Sequence, residues 1–508
     1  TEIFNNIDTL AKKWNIDYVT REMGRSSELL DNIDGKKLDA QQRRAVIVDE
    51  DNNLILAGAG SGKTLTIAAK VKYLVERKDI DPKDILLITF TRKAAAEMQK
   101  RISKKLKIDV QAYTFHRCGL DAYKIVLGSR PDVFTDLPIM VEKYFKGEIL
   151  NNKQHVKSII EFLGLYINIP PDYDDVDSFD QIITREKNLD LETMKSKVET
   201  EEQEWSKSKR TFQGERVKSI EEAIIANYLY LHGINYEYEK LYPFNTEDKF
   251  RKRYRPDFYL PDYDIYLEHF GIDENGQVPW LPRIEAQKYI ESISWKRDLH
   301  KTNETVLLET YSYFNKQGRL QIELNKLLKK NGVKYKKVDY LEIYKNIIIN
   351  KNDRTISEFI KLVSTFVNLF KSNGYNEDSF PKLESKLDDQ NNIFIKIRGK
   401  KFLSIVKPFF SEYQNMLRNK GYIDFNDMIN FSTLNIIEGK IKFNYKYIIV
   451  DEYQDISVSR FKLIKAIKEQ NNAVVIAVGD DWQSIFRFAG SDIDLFTNFR
   501  KYLGHTEI

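Results

Sequence analysis

The segment AGAGSGKT at 57–64 sets small residues around one lysine and one threonine. Gly58, Ala59, Gly60 and Gly62, with Ser61 between them, let backbone N–H groups converge on phosphate oxygens, and a helix starting just after them adds positive potential. Lys63 has the reach for the β and γ phosphates of a nucleotide, and the Thr64 hydroxyl can hold Mg²⁺. Ala57 stands where the loose pattern has Gly, a change that keeps the loop compact. A second segment, DEYQD at 451–455, follows the apolar run Tyr447–Val450. A carboxylate at a strand end facing a phosphate loop can hold Mg²⁺ through water, which is the role expected of Asp451. Glu452 beside it can orient or deprotonate the attacking water.

Those residues need strands that end in loops at one edge of a sheet. Buried-strand patterns at Asn53–Ala57 and Ile85–Phe90 are each followed by a helical pattern, and the same texture returns at Tyr445–Asp451 and Ala473–Gly479. The expected fold is α/β, with one parallel sheet in two sequence pieces. The roughly 300 residues between the pieces exceed any ordinary loop and must fold on their own. Within them, 140–165 and 355–420 have helical spacing, and 234–270, rich in Tyr, Phe and Ile, reads as strands. Pro170–Asp180 and Leu191–Arg210 read as boundaries or exposed helices. No internal repeat of 20 to 50 residues is visible.

Composition bounds the rest. The 508 residues, 42% of them apolar, suffice for several cores. With 80 basic and 76 acidic residues, a net charge of +4 does not by itself mark a nucleic-acid binder. Basic runs at Arg251–Arg255, Lys326–Lys337 and Lys396–Lys401 are phosphate contacts or solvated faces. Cys118 is the only cysteine, no signal peptide or apolar run of membrane length is present, and no Cys/His cluster has zinc spacing. A cytoplasmic protein without membrane partners is the expectation.

The order and wording of further segments resemble superfamily 1 helicases of the UvrD type. LDAQQRRAV at 38–46 looks like the Q motif, in which Gln42 would read the adenine edge. TFTRKAAAEM at 89–98 and AYTFHR at 112–117 are similar to DNA-contacting motifs, which implies strand contacts at Thr91, Arg92, Thr114 and His116. IDFNDMI at 423–429 looks like the segment before the acidic motif. GDDWQSIFRFAGSD at 479–492 resembles the motif that links γ-phosphate to DNA. There Gln483 would sense the γ-phosphate, and Phe486 and Phe488 offer stacking faces or core bulk. Ala489 stands where many members have Arg.

Inside the inserted region, Glu222 sits in a helical pattern, Asp257 near a strand end and Glu268 on the next strand, with SWKRDLHK at 294–301. This arrangement resembles PD-(D/E)xK nucleases, whose carboxylates hold one or two Mg²⁺ or Mn²⁺ ions that activate water. Glu268-His269-Phe270 lacks the usual lysine two residues after the glutamate, and Lys296 is the candidate replacement from a helix. A nuclease-like fold kept only for binding DNA or a partner is the alternative.

The expected map has a helical segment at 1–37, a RecA-like domain in two parts at 38–125 and 431–508, a helical subdomain at 126–210 and 316–430, and a nuclease-like (restriction-endonuclease-like) insertion at 211–315. The resemblance implies a second RecA-like domain that closes over ATP and supplies an arginine. Only residues 493–508 follow Asp492, so a C-terminal extension or a protein partner is expected to supply it. The implied function is ATP-dependent, Mg²⁺-requiring translocation along single-stranded DNA, or DNA with a single-stranded tail, 3′ to 5′, with unwinding and DNA cleavage as possible outputs. The rival is a module in which ATP gates DNA or partner binding and the insertion is the effector.

Overall fold

Four short apolar runs, with one further short strand in the first sequence piece, build the sheet that carries the first set of residues. In the computed structural model, which describes residues 7–58, 60–167, 210–247, 252–349, 354–480 and 494–508, eleven strands are seen. These are β1 (Asn52–Leu56), β2 (Ile85–Thr89), β3 (Ala112–Thr114), β4 (Asp132–Val133), β5 (Glu237–Tyr238), β6 (Phe258–Leu260), β7 (Ile265–Phe270), β8 (Val306–Tyr311), β9 (Tyr422–Ile423), β10 (Tyr447–Val450) and β11 (Val474–Gly479).

Five of them form one sheet in the order β1-β11-β10-β2-β3, and every pairing is parallel. Such sheets are covered on both faces, which explains why their strands are continuously apolar rather than alternating. Side chains still alternate across the sheet. Leu86, Ile88, Ile448, Val450, Val475 and Ala477 enter one core with Phe115, Ile464 and Phe496. Ile85, Leu87, Ile449, Ile476 and Val478 enter the opposite one with Ile67, Ala68 and Met98. The N-terminal segment, helices Ile7–Arg25 and Ser27–Asp31, is tied on through Leu30, Ile33 and Leu38, which pack against Leu65, Ala69 and Tyr73 of the helix Lys63–Glu76.

The inserted region leaves and re-enters this domain at one place, because β4 pairs in parallel with β9. Its helices Leu137–Lys146, Lys153–Leu165, Arg354–Ser372, Phe380–Asp388 and Ile393–Lys420 match the helical spacing expected there. A second, mixed sheet has the order β5-β6-β7-β8, with β5/β6 and β6/β7 antiparallel and β7/β8 parallel. Helix Ile220–Leu231 precedes β5 and helix Arg283–Thr302 joins β7 to β8, giving the order αβββαβ. Among the described residues of 234–270, the regular strands are β5, β6 and β7, fewer than the composition of this stretch predicts.

Leu163, Ile225, Phe258, Leu308, Leu328, Phe359 and Phe402 share one hydrophobic core, so the mixed sheet packs continuously against the helices around it. The division at 430 falls inside helix Phe425–Ile437, whose Ile429 and Ile436 pack into the core of the parallel sheet. Lys371 bolts the two bodies together: buried, it pairs with Asp424 and, at 2.7 Å, with Asp427, the capping pair of that helix. Among the described residues, no helix is long and apolar enough to cross a membrane. Pro170–Asp180 and 191–209 lie outside the described residues.

Candidate nucleotide site and nucleic-acid interface

The phosphate loop connects β1 to helix Lys63–Glu76. Gly62, at φ 87°, is the left-handed residue that starts this helix. The turn favours glycine, since a side chain is strained at this φ, and a Cβ there would also displace the Gln42 amide, whose nitrogen it would meet at 2.8 Å. The Gln42 amide is held at both ends. It donates to the Ser61 carbonyl at 2.9 Å and accepts from the Asp39 backbone at 3.1 Å, inside a capping box. It therefore braces the loop, and it also lines a cavity of about 580 Å³ with Asp39, Arg44, Asn53, Gly58 and Glu507. Ala59 lies outside the described residues.

β1, β11 and β10 are neighbours, so their carboxyl ends bring residues 57–64, 451–455 and 479–480 together. Lys63 donates to Glu452 at 2.9 Å, and Gln454 donates to the same carboxylate oxygen at 2.8 Å. Gln454 in turn accepts from the Asp480 backbone at 3.0 Å. Glu452 takes a left-handed backbone, φ 51° and ψ 44°, uncommon for a non-glycine residue and a local strain of about 1–3 kcal/mol. Asp451 is 5% exposed, and the one hydrogen bond its carboxylate receives among the described residues comes from the Glu452 backbone, at 3.0 Å. Burial and the adjacent Glu452 carboxylate push it up to about 6. A buried carboxylate with one donor and a charged neighbour favours a cation, so the chemistry of this corner fits Mg²⁺; Thr64 lies on the first turn of helix Lys63–Glu76, next to Lys63.

The candidate strand contacts stand at the same edge. Thr89 of β2 pairs with Thr114 of β3. Thr91 caps helix Arg92–Gln99 by accepting from Ala94, and Thr114 caps helix Phe115–Leu127 by accepting from Arg117. Two helix N-termini thus open beside exposed Arg92. His116 packs on Phe425 at 4.5 Å, and burial, then Arg460 and Arg92, hold it down at about 4, so it is neutral at physiological pH. Gln483, Phe486, Phe488 and Ala489 lie outside the described residues.

The second carboxylate group lies in the mixed sheet. Lys296, on helix Arg283–Thr302, donates to Glu268 of β7 at 2.6 Å, so the helix does bring a lysine to this glutamate. Tyr254 donates to the other oxygen of Glu268, also at 2.6 Å; no sequence pattern pointed to this tyrosine. Asp257, just before β6, accepts from the His269 backbone at 2.8 Å, and burial, then Glu268, with a further contribution from Glu222, raise it well above the carboxylate range. Glu222 is buried and accepts from Tyr238 at 2.6 Å. Three carboxylates near one ammonium leave an excess of negative charge that suits a divalent cation. Among the described residues, however, no three acidic, His or Cys side chains already form a metal cage. Side chains would have to shift from their Lys296 and tyrosine partners to make one.

Residues 38–395 and 376–503 match the family model of the UvrD/REP helicase N-terminal domain. The chain is 22% identical over 504 residues to DNA helicase IV of Escherichia coli (strain K12), covering 99% of this chain and 48% of that protein. It is 24% identical over 515 residues to an ATP-dependent helicase/nuclease subunit of Clostridioides difficile (strain 630), covering 92% of this chain and 36% of that protein. Over 83 residues it is 46% identical to a probable DNA helicase of Mycoplasma pneumoniae, 16% of each chain. The chain spans about half the length, or less, of these relatives. With most of its length matched by the domain model and its phosphate loop and acidic motif meeting at one sheet edge, the chain belongs to the UvrD/REP helicase family.

Proposed function

We propose that this chain is the ATP-binding part of a motor that moves along single-stranded DNA, 3′ to 5′. The observation that carries this reading is the shared carboxyl edge of the five-stranded sheet. Lys63, Thr64, Asp451 and Glu452 gather at β1 and β10, and Thr91, Arg92, Thr114 and His116 stand at the adjoining β2 and β3. Bound Mg²⁺ would neutralise charge on the β and γ phosphates; Lys63 binds the same phosphates, and Glu452 aligns and deprotonates water. DNA held at β2 and β3 is then on the same sheet edge as the reacting groups, with β2 directly beside β10. The test is ATP turnover with and without single-stranded DNA, for the chain alone and with a second RecA-like domain supplied. Stimulation by DNA in the two-domain form supports the motor. Turnover indifferent to DNA in both forms favours ATP-gated binding of DNA or a partner.

A second activity is favoured by one specific arrangement. The αβββαβ order, with Asp257, Glu268 and Lys296 in one electrostatic cluster and Glu222 close by, is what a metal-dependent DNA nuclease needs. In this reading the mixed sheet cleaves DNA with Mg²⁺ or Mn²⁺, and Lys296 replaces the missing strand lysine.

A further inference from the structure

Helix Val458–Asn471 begins just after the acidic motif and carries Arg460 on its first turn. The guanidinium lies over two aromatic rings, 4.9 Å from the centre of Phe90 and 5.6 Å from that of Phe115. Those rings meet edge-on at 5.4 Å. Each directly precedes a candidate strand contact: Thr91 and Arg92 follow Phe90, and His116 follows Phe115. Arg460 therefore sits beside the residues that would hold DNA, on the helix that follows the acidic motif.

Its partners are unusual for this chain. The deeply buried Lys70, Lys371 and Arg398 have acceptors: Lys70 donates to the Val48 carbonyl at 2.6 Å, Lys371 to Asp424, and Arg398 to the Tyr166 carbonyl at 2.7 Å. Among the described residues, the Arg460 guanidinium has neither a hydrogen bond nor an ion pair at bonding distance. Aromatic faces stabilise the flat cation but leave its edge donors unused. Burial draws Arg460 down to about 10 and the Asp455 carboxylate resists this, so it stays charged at neutral pH. Arg92 adds a second positive charge beside neutral His116. Half-buried donors near Arg92, with no acceptor at bonding distance among the described residues, are suited to an anion.

We propose that Arg460 binds a backbone phosphate of the nucleic-acid strand seated on Thr91, Arg92, Thr114 and His116. The inference rests on reading that edge as the strand-binding face. The test is anisotropy of a fluorescein-labelled 20-mer of thymidylate titrated with the full chain over a range of salt concentrations, comparing the parent, Arg460→Gln and Arg460→Lys. Thermal melting of each variant checks that it folds. Arg460→Gln should weaken binding about 10-fold and lower the slope of log affinity against log salt by about 0.7. Arg460→Lys, which keeps the charge, should retain the slope. If the parent binds and Arg460→Gln shows the same affinity and slope, the phosphate contact is wrong. Equal losses in both variants with an unchanged slope would assign Arg460 to propping Phe90 and Phe115, and would also overturn it. A parent chain that does not bind the oligonucleotide instead removes the strand-binding reading beneath it.

Discussion

Lys63 and Glu452, 389 positions apart in the chain, form a 2.9 Å ion pair. The pair keeps the two groups in place, and it makes Glu452 a competitor for the lysine that phosphate must recruit.

Replacing the competitor should therefore separate binding from chemistry. Glu452→Gln is expected to bind ATP·Mg²⁺ at least as tightly as the parent, while turnover falls about 10² to 10⁴-fold from the loss of the base. Weakened nucleotide binding with an unchanged turnover rate at saturating ATP in this variant would reverse the assigned roles.

Asp451 gives a pH-dependent prediction. A carboxyl raised on folding from 3.8 to about 6 stabilises the fold while it keeps its proton, and that contribution disappears as pH rises through 6. Asp451→Asn mimics the protonated form. The nucleotide-free variant should be more stable than the parent at pH 7.5, by up to about 3 kcal/mol, and the gap should shrink steadily as pH falls below 6. Denaturant melts at several pH values measure it; a gap independent of pH would exclude Asp451 as its source.

Much of this site was legible because its signals are local. A phosphate loop needs a strand, small residues and a helix in direct succession, and 52–76 supplies them within one stretch. What was hidden depends on contacts between distant segments. Nothing near Gln42 announces that its amide braces Ser61, and Tyr254 reaches Glu268 only because the mixed sheet folds one over the other. Arg460 looks like an ordinary helical surface charge until Phe90 and Phe115 arrive from β2 and β3. The merged core of the insertion was equally out of reach, since periodicity shows that a face is apolar and not which face covers it.

The cluster at Asp257 supports a prediction with a clear negative. Asp257→Asn removes an anionic ligand from the group and should abolish any Mg²⁺- or Mn²⁺-dependent cleavage of plasmid or single-stranded DNA, while leaving nucleotide binding at the distant loop unchanged. Gel assays of parent and variant with both metals decide it. Intact DNA throughout with the parent protein would leave the mixed sheet as a binding module.

The central claim is that residues 57–64 hold nucleotide phosphates, with Lys63 the group that meets them. Titrating a fluorescent ATP analogue with Mg²⁺ into the parent and into Lys63→Ala tests it most directly. The lost charged hydrogen bond should weaken binding by about 1.5 to 3 kcal/mol, roughly 10- to 150-fold, with the thermal melt of the variant showing an intact fold. Equal affinity in the two proteins would contradict the account.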